Sequence, residues 1–193
     1  MNFRLLLFPV LMTAVAGTLC ASTAEAEKFL QTAVNEVLAI AQKSPNSAAL
    51  ATSLRPVLPK YLSFEAMTRR AVGPGWRTFT DEQQKKATQL FTTLIIRTYS
   101  SKFTPGEYPA ITYKPAATPA PGRVEVPTTS LYQGSRYNVT YRLEESENWR
   151  VTDVVIEGVS LIANYRTQFD AAFKNGGPEA VINALSQSVA KSE

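Results

Sequence analysis

The order of periodic segments predicts an α+β domain, with amphipathic helices first, a meander of strands in the middle and two helices at the end. Three observations carry this. Apolar residues recur at the helical period up to about Lys102, at alternate positions between Ile111 and Glu157, and at the helical period again after Gly158. The expected architecture is a curved antiparallel sheet of about four strands covered by helices. A chain of 193 residues with 45% apolar content fits one such core. A division near Pro115 to Gly122 would leave neither half with an adequate one.

The first segment reads as an export leader. Arg4 precedes an apolar run from Leu5 to Leu19, and Ala24-Glu25-Ala26 offers a small-x-small cleavage site. The expected division is residues 1–26 as leader and 27–193 as the mature domain. No later window is apolar for long enough to span a bilayer.

The first mature helix is expected over 27–42, with Phe29, Leu30, Ala33, Val34, Val37, Leu38 and Ala41 on one stripe. After Ser44-Pro45 comes a short helical piece over 48–54, and Pro56 and Pro59 then force an irregular link. A helix over 63–72 buries Phe64, Met67 and Ala71, and Gly73-Pro74-Gly75 stops it. Thr80 and Gln83 form a capping box, and Asp81 and Glu82 suit a helix N-terminus, so a long helix should cover 81–102. Its stripe is Leu90, Phe91, Leu94, Ile95, Tyr99 and Phe103.

The region from Pro105 to Pro127 is dense in proline, with short strands expected at 111–113 and 123–126, at edges or bulges. Tyr137, Val139, Tyr141 and Leu143 alternate clearly, and a turn near Ser146 leads to a strand over 149–157. Trp149, Val151 and Val155 share parity on that strand, with Asp153 between them. Past Gly158, Leu161, Ile162, Tyr165, Phe169 and Phe173 follow the helical period. A last helix begins at Pro178, after Gly176-Gly177.

Composition excludes several chemistries. Cys20 is the sole cysteine and lies in the leader, so the mature chain has no disulfide or thiol nucleophile. Lipidation of Cys20 would need a small residue before it, where Leu19 stands. Histidine is absent, which removes the usual near-neutral base and the commonest zinc ligand, so neither a metal nor another cofactor is expected. The net charge of +4 is scattered, with basic pairs only at Arg69-Arg70 and Lys85-Lys86, so no nucleic-acid partner is expected. Asp153 and Glu157 stand about 13 Å apart along an ideal strand, too far for a carboxylate pair, and Asp153 is expected to hydrogen-bond a neighbouring backbone group or tyrosine. Ser160 suits a helix N-cap. Asn138-Val139-Thr140 fits the glycosylation pattern by chance, on an expected strand.

Three blocks of residues together resemble a known family. Leu58, Tyr61, Phe64, Met67, Gly73 and Trp76 match its short link and first marked helix, and Thr80, Gln83, Phe91, Leu94 and Tyr99 its central helix. The closing strand and helix are the most specific block: Trp149, Val151, Asp153, Ile156, Glu157, Gly158, Val159, Ser160, Asn164, Tyr165 and Phe169, followed by Gly176 and Leu185. On these residues the chain resembles the MlaC family, the toluene-tolerance family of periplasmic phospholipid-binding proteins. Pro74-Gly75 and the proline-dense middle depart from its pattern.

The resemblance implies a periplasmic carrier that takes acyl chains into an apolar cavity between sheet and helices and has no catalytic residues. Its implied wall is Phe64, Met67, Val72, Trp76, Phe91, Leu94, Ile95, Tyr99, Phe103, Val139, Tyr141, Val155, Val159, Ile162, Tyr165 and Phe169. Read without the family, the same residues form an ordinary packed core. The implied partners are a phospholipid, an inner-membrane ABC lipid transporter complex and an outer-membrane lipoprotein and porin complex. Two alternatives stay open: a carrier of hopanoids or other apolar lipids, and a small α+β enzyme using Asp153 or a tyrosine.

Energetics make docking part of such a mechanism. Burying roughly thirty CH₂ groups is worth about 24 kcal/mol gross, at about 0.8 kcal/mol each. That exceeds the ceiling of about 18 to 21 kcal/mol for noncovalent affinity. The lipid must therefore pass between contiguous apolar sites instead of through water.

Overall fold

Helices in this chain start where a side-chain oxygen is available to the open N–H groups of a first turn. The computed structural model describes the backbone of residues 16–192 and the side chains of 23–192. The leader residues 1–15, with Arg4 and most of the Leu5 to Leu19 run, lie outside the described residues, as does the side chain of Cys20. Asn46 caps α2 (Ser47–Leu54), and Ser63 caps α3 (Phe64–Val72). Thr80 and Gln83 form the expected capping box at α4 (Asp81–Ser100), and Ser160 caps α5 (Leu161–Lys191). Helix α1 (Ala16–Lys43) is longer than expected and runs without a break through Ala24-Glu25-Ala26.

Helix α5 is interrupted where the sequence predicts a new start. Gly177 takes a φ of 61°, and Pro178 follows at the opening of the second half. Before α4, the glycines of Gly73-Pro74-Gly75 do not end in a loop but open a 3₁₀ segment, Gly73–Thr78. Gly75 has a packing reason. A Cβ built there would lie 2.7 Å from the ring of Phe173, so α5 passes too close for any larger residue.

The sheet is antiparallel and has six strands instead of about four: β1 (Ala110–Tyr113), β2 (Ala117–Ala120), β3 (Arg123–Tyr132), β4 (Ser135–Glu145), β5 (Trp149–Ile156) and β6 (Val159–Ser160). Their order is β1-β3-β4-β5-β6, with β2 also pairing with β3. Strand β3 passes straight through Pro127, which was expected to mark an edge or a bulge. Its carbonyl accepts from the Lys114 N–H at 2.9 Å, so its missing donor faces the gap between β1 and β2, where the ladder is already broken.

A second departure sits in β5. Leu143 pairs with Val151 and Arg142 with Asp153, so Thr152 is an extra residue in a bulge. The bulge reverses parity. Val151 remains on the face of Val124 and Leu143, whereas Asp153 and Val155 turn to the face of Arg142 and Thr140. The even spacing of Trp149, Val151 and Val155 therefore does not put all three on one face.

Two apolar clusters result. One is helical and joins α2, α3, α4 and α5 through residues such as Met67, Phe91, Phe169 and Leu185. The other lies between α1 and the sheet, with Ala26 and Leu30 against Val124, Val126, Leu143, Trp149 and Val151. Leu62 touches both. It bridges in parallel to Val151, with the Ser63 N–H donating to the Val151 carbonyl at 3.0 Å.

Candidate functional site

The expected wall residues divide between these clusters and their margins. Phe64, Met67, Val72, Trp76, Phe91, Leu94, Ile95, Ile162 and Phe169 are buried in the helical cluster, and Phe103 and Tyr165 pack partly buried against it. Tyr141 packs against the α1 and sheet cluster. Val139 is buried on β4, and Val155 is partly buried on the other sheet face. Val159 is 62% exposed on β6 and Tyr99 is 40% exposed on α4.

A seam of tyrosines runs where α4, α5 and β5 meet. The Tyr165 ring stands edge-on to Phe91 with centroids 5.1 Å apart and stacks on Phe169 at 5.8 Å. Burial raises the pKa of its phenol, and a hydrogen bond with Thr98 acts the other way. The Tyr99 phenol is also held above its usual range, by burial first and then by the neighbouring Tyr165 and Asp153. On the sheet, burial pushes Tyr141 up to about 12, with Tyr113 adding to the shift.

Asp153 is fully engaged. Its Oδ2 accepts from the Ser160 hydroxyl at 2.6 Å and from Arg142 at 3.1 Å, and its Oδ1 accepts from the Ile162 N–H at 3.2 Å. Arg142 also donates to Glu125 at 2.9 Å. This is a structural anchor for the start of α5, as expected of a hydrogen-bonded acid. Glu157 is occupied too, since its carboxylate accepts from the Asn138 N–H. Among the described residues no three His, Cys, Asp or Glu side chains gather as a metal site.

The large exposed apolar side chains are Tyr99, Tyr108, Leu131, Tyr137 and Val159. They sit at connections that are tied together. Gln133-Gly134 and Glu157-Gly158 are two-residue hairpin turns with positive φ at both positions, joining β3 to β4 and β5 to β6. Gln133 donates to Thr104 at 3.0 Å, and the Tyr132 hydroxyl donates to the Lys102 carbonyl at 3.3 Å, joining the first hairpin to the loop after α4. The Asn138 to Glu157 bond joins it to the second. This end of the sheet is thus a rim with apolar side chains on both faces, Leu131 on the side of Arg136, and Tyr137 and Val159 on the other. Leu131, Tyr108 and Tyr137 were not among the expected site residues, although Leu131, two positions before the Gln133-Gly134 turn, carries a readable signal.

Two open cavities lie elsewhere. One of about 410 Å³ beside Trp76 is lined by Glu65, Asp81, Gln84, Lys85, Thr88 and Gln89. The other, about 340 Å³, lies between α2 and the end of α4, with Arg55, Arg97 and several hydroxyls around it. Apart from Trp76, their linings include none of the expected wall residues.

Comparison with known proteins decides what kind of chain carries this arrangement. The model of the MlaC protein family matches residues 31–187. The chain belongs to the MlaC family. The matched segment starts within α1 and ends within the second half of α5, so it takes in the bulge, the rim and all of both clusters' buried residues except Ala26 and Leu30. This MlaC-family chain is also similar in structure to a phospholipid-binding protein from Ralstonia solanacearum solved in complex with a phospholipid. The two are 28% identical and superpose with a TM-score of 0.80, over 87% of this chain and 98% of that one. No curated protein matches it.

Proposed function

We propose that this chain is a periplasmic phospholipid carrier, exported by a cleaved leader, that holds acyl chains between its helices and its sheet. The observation that carries the reading is the likeness, over nearly the whole of the other chain, to a protein solved with a phospholipid bound. The geometry agrees with it. A buried helical cluster and a sheet-facing cluster meet at Leu62, and Tyr165 packs on the helical one with the half-exposed Tyr99 as its neighbour.

The acyl chains enter at the apolar rim and part the seam, so that Phe91, Leu94, Ile95, Phe103, Ile162, Tyr165 and Phe169 become one wall. Val139 and Tyr141 belong to the sheet side, Val155 lies on the opposite sheet face, and Val159 belongs to the mouth. Binding here needs no catalytic group, and the acid nearest the seam is already taken by three donors. Because the lipid cannot leave into water at a useful rate, the rim docks against partners with contiguous apolar sites. An inner-membrane ABC lipid transporter complex and an outer-membrane lipoprotein and porin complex are the partners the family assignment points to.

Native mass spectrometry of the exported protein, purified without detergent, tests the reading. The expected result is a bound species with the mass of one phospholipid, recovered intact after incubation. Repeated recovery of bare protein from a lipid-rich envelope overturns it, and steady turnover of the lipid would favour catalysis.

A further inference from the structure

Helix α1 already rests on the sheet before the residue at which the sequence places the start of the mature chain. The Ala26 side chain is fully buried, at 0% exposure, in the cluster with Leu30, Val124, Val126, Leu143, Trp149 and Val151. One turn earlier, the Thr23 and Thr118 hydroxyl oxygens lie 3.0 Å apart, tying α1 to β2. On the other side of Ala26, the Glu27 carboxylate accepts from the Ala116 N–H at 3.1 Å. The turn from Thr23 to Glu27 is thus fixed to the β2 region at both ends, with a buried methyl between.

A cut between Ala26 and Glu27 conflicts with this packing. It deletes the Thr23 contact and removes the Ala26 methyl from a closed cluster. The peptidase reads the chain before it folds, so burial does not hide the site from it. The fold bears instead on which product is complete. Small residues also stand at Cys20 and Ser22, the small-x-small spacing for a cut just before Thr23.

We propose that the leader is removed after Ser22, so that Thr23 to Ala26 open the working protein instead of closing its leader. This rests on the export reading above. The exported protein is tested by intact-mass and amino-terminal measurement on material released from the periplasm. An amino terminus at Thr23 is expected, and one at any other residue of the released protein overturns the proposal. Protein kept in the cytoplasm with its full leader would instead overturn the export reading.

A second arm compares leaderless chains 23–193 and 27–193. The longer chain should melt higher by about 2–4 °C or more, the shift expected from losing even one modest packing contact in a domain of this size. Ala26→Asp in the longer chain should abolish that advantage. Equal melting of the two chains overturns the structural role assigned to the turn.

Discussion

The Ser160 hydroxyl donates to the Asp153 carboxylate at 2.6 Å while its own oxygen accepts the Ala163 N–H at 3.0 Å. Ser160 is therefore a cap that is itself held in place, and the holding group is brought to it by the bulge at Thr152. With ideal alternation Asp153 would lie among Trp149 and Val151, inside the apolar cluster. The extra residue turns it to Arg142 and the helix start instead. Removing the carboxylate with Asp153→Ala leaves Arg142, Ser160 and the buried Ile162 N–H without that acceptor, and should cost about 3 kcal/mol. Asp153→Asn should cost less. Urea unfolding measures both, and an Asp153→Asn protein that still carries lipid would confirm that this acid holds structure alone.

Gly75 and Phe173 make a second coupled pair. Gly75→Ala should destabilise by about 1–3 kcal/mol, because the added methyl meets the ring at 2.7 Å. Phe173→Leu costs stability alone but makes room for that methyl. The double variant should therefore be more stable than the sum of the two losses predicts, and strict additivity would show that the close approach does not limit this site.

Alkaline pH should expose the buried phenol of Tyr141. Its pKa is about 12 in the fold, against about 10 for an unfolded tyrosine. A raised folded pKa means that the neutral form is preferred in the native state. The associated stability is fully present below pH 10 and is lost as the pH rises from about 10 to about 12, by an amount on the order of 2–3 kcal/mol. Tyr141→Phe should flatten this loss between pH 9 and pH 11.5 in urea titrations. It should not remove it entirely, since Tyr99, Tyr113 and Tyr165 are also shifted upward.

The helices were legible because capping residues and period lie in adjacent positions: Thr80 with Gln83, Ser160 before Leu161, Pro178 after Gly177. The sheet was legible only in part. Alternation on β4 is unbroken, and Tyr137 to Leu143 share a face as the pattern implies. On β5 the parity rule failed at one residue, since nothing in Val151-Thr152-Asp153 distinguishes a bulge from regular pleating. β2 and β6 are short strands fixed by their partners, and no local period marks them. Family resemblance named the wall residues, but period alone could not tell a packed cluster from a slot. The rim escaped because its members are far apart in sequence and are brought together by turns and three side-chain bonds.

The rim gives the sharpest functional prediction, because its residues can change without disturbing the core. Val159 is 62% exposed and Leu131 is 47% exposed, so Val159→Asp and Leu131→Asp should shift stability by no more than about 0.5 kcal/mol. If acyl chains enter there, a carboxylate at the mouth must lose water whenever a chain passes or a partner docks, which is unfavourable unless it finds a counter-charge. Uptake of a fluorescent phospholipid from donor vesicles should slow at least several-fold in either variant, and further in the pair. Phe91→Ala provides the contrast. It empties part of the helical cluster and should cost about 3–5 kcal/mol, but the rate of entry should change less than in the rim variants. Unchanged uptake in the doubly charged rim variant, with the fold intact, would place the mouth elsewhere along the seam.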